Sequence, residues 1–133
     1  MFRIDICEPR QIVLVRFQGQ LTEEDFAALD KLAESVRDRA AFDCIYDMTE
    51  VERIDLATTF VAKRGDLPQT YKDRARIYVV PQDDLKLLVR LYATYQANKG
   101  WRVPVTVRTL EEALRELGIG LEAFTPVVLD GRG

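Results

Sequence analysis

Apolar positions along this chain recur in two rhythms, every second residue and about every 3.6 residues, and the changes between them divide it into strands and helices. Phe2, Ile4 and Ile6 alternate with Arg3, Asp5 and Cys7, which predicts a half-exposed edge strand of a hairpin, turned by Glu8, Pro9 and Arg10. Ile12 to Phe17 is apolar except for Arg16, so a central strand covered on both faces is expected there, broken by Gly19. Further strands are predicted over residues 42–48, 75–80 and 103–107, and Pro81 closes the second of these.

Helical spacing begins at Thr22. Asp25 three positions on makes a variant capping box, and Glu23 and Glu24 suit the positive end of a helix dipole. Phe26, Leu29, Leu32, Ala33 and Val36 form the packed stripe, leaving Asp30, Lys31, Glu34, Arg37 and Asp38 to solvent. After a loop over residues 49–54, Asp55 is placed to cap a second helix with Leu56, Phe60 and Leu67 on one stripe. Gly65 is either its left-handed cap or an early break before Pro68. A third helix starts at Gln82, Asp83 or Asp84, carries Leu85, Leu88, Val89, Tyr92 and Tyr95 inward, and stops at Asn98 and Gly100. Thr109 and Glu112 form a capping box for a fourth, with stripe Leu110, Ala113, Leu114 and Leu117 and a stop at Gly118. Residues 119–133 hold Leu121, Phe124, Val127, Val128 and Leu129, but Pro126 and the final DGRG predict an extended, partly loose C-terminal extension.

The order is ββαβαβαβα: an α/β fold with a mixed sheet of about five strands and four helices, strand order open. A chain of 133 residues suits one domain, residues 1–133. No run approaches the roughly 18 apolar residues of a membrane span, and MFRIDICEPR is too charged for a secretory leader, so a cytoplasmic protein is expected. The 19 basic residues are scattered among 22 acidic ones, which leaves no electrostatic footprint for nucleic acid. Cys7 and Cys44 fall on separate strands and read as small buried hydrophobes.

The chain has no histidine, which removes the commonest general base and metal ligand and weighs against most enzyme classes. Asp43, Asp47, Asp55, Asp83 and Asp84 lie near predicted strand ends, where capping and turn roles account for them better than acid–base work or a metal. Gly19, Gly65 and Gly100 stand singly, with no phosphate-cradling loop, so no cofactor is expected. Phe60, Leu88, Leu91, Tyr92, Tyr95 and Trp101 place apolar groups around more than one helix face. Core packing, a dimer interface and the wall of an apolar ligand pocket all remain open for them. The stretch IYDMTEVERIDLATTFVAKRG, residues 45–65, gathers Asp47, Thr49, Glu50, Asp55, Thr58 and Thr59 at a strand-to-helix junction and is the candidate partner-binding surface.

The element order, the GQLTEEDF helix start, the strand ending DMTEV, the ID before the second helix and the final TLEEAL together resemble the STAS domain, the SpoIIAA-like family of anti-sigma factor antagonists and transporter tails. The resemblance spans roughly residues 11–117. It implies a non-catalytic regulatory domain that meets a protein partner or a second copy of itself. In signalling members the strand ends in an Asp, hydrophobic, Ser or Thr trio, matched by Asp47, Met48 and Thr49, and the second helix opens Asp-Ser-Ser-Gly with the second Ser phosphorylated. Asp55 matches that acidic residue, but Leu56, Ala57 and Thr58 replace the other three. Ala57 has no hydroxyl, so the phosphorylation switch is expected to be absent at that position, although Thr58 or Thr59 could substitute for it. That departure also resembles stand-alone members grouped with SEC14-like domains, which implies an alternative role as carrier or sensor of a small apolar or lipid ligand.

Overall fold

The structure, a computed structural model, describes residues 1–36, 42–67 and 74–127, without the side chains of 33–36. The helix-stripe residues Ala33 and Val36, the charged Glu34, Arg37 and Asp38, and Pro68, Val128 and Leu129 therefore lie outside the described side chains. Strand β1 spans Phe2–Cys7 and β2 spans Ile12–Thr22. In β2, Ile12 and Leu14 point to one side and Val15 and Phe17 to the other, all buried, so the strand is apolar on both faces and lies inside the sheet. It pairs antiparallel with β1 and parallel with β3, Asp43–Asp55. Strands β4, Arg76–Val79, and β5, Val105–Val107, continue the parallel sheet, and β6, Thr125–Pro126, pairs antiparallel with β1. The sheet order is β5-β4-β3-β2-β1-β6.

Helices α1, Glu23–Val36, α2, Thr58–Gly65, and α3, Asp83–Asn98, cover the face that carries Val15, Phe17, Met48 and Tyr78. Helix α4, Leu110–Leu117, covers Ile12, Leu14, Ile45, Ile77 and Val79 on the other, joined there by Ile119 and Phe124. Both predicted N-terminal boxes form. The Thr22 amide donates to Asp25 Oδ2 at 3.0 Å while the Asp25 amide donates to Thr22 Oγ1 at 3.3 Å. Thr109 and Glu112 make the reciprocal pair on α4, which ends at Gly118 in the left-handed conformation, φ 65°.

Several expectations are corrected. β1 is not the sheet edge, because Thr125 and Pro126 pair outside it; the residues read as a tail return to the sheet. Gly19 does not end β2 but sits within it at φ 69°, a conformation only glycine adopts without strain, and the strand runs on to Thr22. The loop expected over residues 49–54 is strand, the far half of β3. Asp55 does not cap α2: the cap position is Ala57, which offers no side-chain acceptor. Gly65 is a buried helical residue and no left-handed cap. A side chain there would collide with Tyr95 of α3, so the glycine lets two helices approach closely. Leu67 lies beyond the end of α2 and is exposed, so it does not share the α2 stripe.

Candidate functional site

The strand-to-helix junction is built by irregular pairing. β3 carries one extra residue against β2 between Asp47 and Glu50, opposite Arg16 and Gln18, and another between Val51 and Arg53, opposite Gly19 and Gln20. Such bulges bend and twist a strand without ending it. β4 pairs with β3 only as far as Asp47 with Val79, so Gln18–Thr22 and Glu50–Asp55 continue as a two-stranded ribbon past the rest of the sheet. Asp47, 5% exposed, accepts the Thr49 amide on Oδ1 at 3.0 Å and holds the first bulge. Gln82, at the head of α3, donates its carboxamide to the carbonyls of Met48 at 2.8 Å and Val51 at 3.1 Å. Outward along the ribbon stand Thr49, Glu50, Glu52, Arg53 and Asp55, all exposed, the last accepting from Gln20 Nε2 at 3.4 Å. Thr58 and Thr59 follow directly, exposed on the first turn of α2.

A second region lies behind that junction. Between the sheet and helices α1, α2 and α3, a cleft of about 40 Å³ is walled by Met48, Phe60, Tyr78, Leu88 and Tyr92, with Arg64 as the charged group among its lining residues. The Arg64 guanidinium grips the Asp30 carboxylate of α1 with two hydrogen bonds, 2.8 and 3.1 Å. It lies over the Phe26 ring at 4.8 Å and the Phe60 ring at 5.9 Å. Burial works against the Arg64 charge, but hydrogen bonding and attraction from Asp30 outweigh it, and its pKa is raised. Burial raises the Tyr78 and Tyr46 hydroxyls as well, and the Cys44 thiol is pushed up to about 11, chiefly by burial. Tyr46 and Tyr78 stack at 4.7 Å, and Arg76 Nη1 donates to the Tyr92 hydroxyl at 2.5 Å.

No family model matches the chain, and no curated protein matches it. Solved structures do. The anti-sigma factor antagonist SpoIIAA in its unphosphorylated form superposes with a TM-score of 0.61 at 13% identity, over 87% of this chain and 96% of that one. This chain has the SpoIIAA-like fold. An uncharacterised protein from the DUF3478 family with a SpoIIAA-like fold, from Shewanella loihica PV-4, matches with a TM-score of 0.56 at 19% identity, over 88% of this chain and 92% of that one.

In this SpoIIAA-like fold the candidate residues separate into three places. Thr49, Glu50, Asp55, Thr58 and Thr59 share the exposed ribbon and helix start, while Asp47 lies buried beneath them. Phe60, Leu88 and Tyr92 line the cleft. Leu91, Tyr95 and Trp101 do not: Tyr95 packs on Gly65, and the Trp101 backbone amide donates to the Gln96 carbonyl at 3.1 Å. Sequence reasoning missed Gln82, Gln96 and the Arg64–Asp30 pair. Gln96 falls on the Leu85, Val89, Tyr92 stripe of α3, a signal that it is inside despite its polarity. It is fully buried and donates to the Gly65 carbonyl at 2.7 Å. Among the described residues no group of three or more His, Cys, Asp or Glu could hold a metal, and no helix is long and apolar enough to cross a membrane.

Proposed function

We propose that the protein is a non-catalytic interaction domain whose ribbon, residues 49–55, and the start of α2 receive a protein partner without a phosphorylation switch at position 57. The observation that carries this reading is Ala57 at the head of α2: its backbone is extended, φ −72° and ψ 145°, and its side chain has no oxygen either to cap the helix or to accept a phosphate. A phosphate there would add about 1.5 to 2 negative charges beside free amides. Without it, partner choice rests on the fixed side chains Thr49, Glu50, Glu52, Arg53 and Asp55, on a ribbon held in shape by Asp47 and Gln82. Protein surfaces of this kind work by a rigid frame presenting exposed polar groups.

A photo-crosslinking residue at Glu52, compared with one at exposed Glu116 on the opposite-face helix α4, tests the reading in the host cell. Adducts of defined mass at position 52 and none at 116 are expected; equal labelling at both, or adducts at 116 alone, contradicts it.

A second reading, a carrier of a small apolar ligand, is favoured by the cleft under Phe60, Leu88 and Tyr92. At about 40 Å³ it has room for about three water-sized groups, so in this conformation it suits a small molecule and not a long acyl chain.

A further inference from the structure

Arg64 is the one cationic residue among those lining the cleft, and its surroundings are those of an anion site already in use. Its guanidinium lies over the Phe26 and Phe60 rings, and its planar fork holds a carboxylate in two-point geometry, that of Asp30. Asp30 belongs to a different helix and its side chain is 47% exposed, against 24% for Arg64, so the carboxylate reaches in from the solvent side. The pair is open to solvent on the Asp30 side, where an incoming anion can reach the fork and compete for it. Behind the fork the wall is apolar and aromatic, and it includes Tyr78. A guanidinium beside an apolar and aromatic wall is complementary to a carboxylate carrying a short hydrocarbon tail.

We infer that the cleft binds a short-chain monocarboxylate, with its carboxylate on Arg64 in exchange with Asp30 and its tail against Met48, Phe60 and Leu88. This rests on the second reading above and adds to it the charge and size of the ligand. About 40 Å³ admits roughly three methylene-sized groups, which sets the tail at about three carbons. A carboxylate is favoured over a larger oxyanion because the fork is seen holding one. Asp30 acts as a built-in competitor: displacing it unties α1 from α2 at this point, so the bound acid loosens the link between the two helices.

Butyrate and the uncharged 1-butanol are the probes, read by methyl NMR shifts of Met48 and Leu88 in the full chain. Butyrate is expected to bind more tightly than 1-butanol. Asp30→Asn, which removes the competitor's charge but keeps the shape, is expected to tighten butyrate about two- to fivefold, on the scale of a partly exposed ion pair, and to leave 1-butanol unchanged. Arg64→Gln is expected to abolish the preference for butyrate. Should that variant not fold, the Asp30→Asn result decides alone: butyrate binding unchanged or weakened there overturns the inference. Equal binding of both probes to the wild type overturns the carboxylate assignment and leaves an apolar pocket standing. No methyl shift with either probe overturns the pocket reading as well.

Discussion

Gln82, the residue at the head of α3, donates its carboxamide to the carbonyl of Met48 at 2.8 Å, and so ties a helix start to the first bulge of β3. The same group reaches the carbonyl of Val51 at 3.1 Å, beyond the point where β4 stops pairing. Two ribbon carbonyls that the ladder leaves open are thereby satisfied. Gln82→Ala is expected to cost about 1–3 kcal/mol in chemical denaturation, because both acceptors lose their donor. Gln82→Glu is expected to cost more, since a carboxylate would face two carbonyl oxygens. Amide exchange over residues 49–55 should accelerate in both variants ahead of the rest of the sheet; uniform acceleration across the sheet would show that Gln82 does not act on the ribbon in particular.

Gly65 and Tyr95 set the spacing of α2 and α3. A β-carbon at position 65 would sit closer to the Tyr95 β-carbon than such atoms approach in folded proteins. Gly65→Ala is therefore expected to destabilise by about 1–3 kcal/mol through overpacking, despite the better helix propensity of alanine. A thermal midpoint equal to or above that of the wild type would contradict this packing account.

Alkaline pH should weaken the fold through buried groups that are neutral when folded. Burial holds the Cys44 thiol up at about 11 against an ordinary 9.0, and raises Tyr46 and Tyr78 above 10.0. Above pH 9 the unfolded chain gives up protons that the folded one keeps, so the unfolded state binds fewer protons and stability falls as pH rises. This contribution is fully present below pH 9 and, for Cys44, is lost up to about pH 11, with a slope of at most about 1.4 kcal/mol per pH unit. Tyr46 and Tyr78 steepen the fall above pH 10. Urea midpoints from pH 8 to 11 should decline in the wild type and decline less in Cys44→Ala between 9 and 11; parallel curves for the two proteins would rule the thiol out as the cause.

Much of this fold is legible in hydrophobic rhythm because long elements repeat their signal. Leu85, Val89 and Tyr92 announce α3, and Thr109 with Glu112 announces the start of α4 by the hydrogen bonds those residue types make. The ribbon is illegible for a physical reason. Val51 is buried and Ile54 half-buried, a spacing of three where a regular strand needs two, because a bulge intervenes; the polar residues between them then look like a loop. Gly19 misleads in the same way, since a left-handed residue ends most strands but here serves the irregular pairing. Asp30 and Arg64 each stand one turn after an inward phenylalanine, Phe26 and Phe60, and periodicity within one helix does not say which charged residues from two helices meet. Two-residue β6 is too short to have a period at all.

The candidate surface was legible as a place and not as a list. Thr49, Glu50, Asp55, Thr58 and Thr59 are exposed together, whereas Asp47 is inward because it belongs to the face of β3 that carries Ile45. Asp47→Ala is accordingly expected to act through the bulge: a loss of about 1–3 kcal/mol in stability, with partner binding reduced only as far as the ribbon loses shape. Binding lost in a variant with wild-type stability and ribbon exchange rates would show that Asp47 touches the partner directly.

We propose that the ribbon and the head of α2 recognise a partner through fixed side chains and without phosphate. The most direct test is the affinity of the partner captured at position 52, measured by calorimetry against three purified forms: wild type, Thr58→Ala with Thr59→Ala, and Glu50→Lys with Glu52→Lys. The two exposed threonines should be dispensable, within a factor of about two, as expected of surface groups outside a binding hot spot. Reversing the ribbon charges should weaken binding by about tenfold or more, the equivalent of about 1.4 kcal/mol. Binding that disappears with the threonines, or that changes only after one of them is phosphorylated, while the charge reversal leaves affinity intact, would show that the surface works through its threonines and not through its fixed charges.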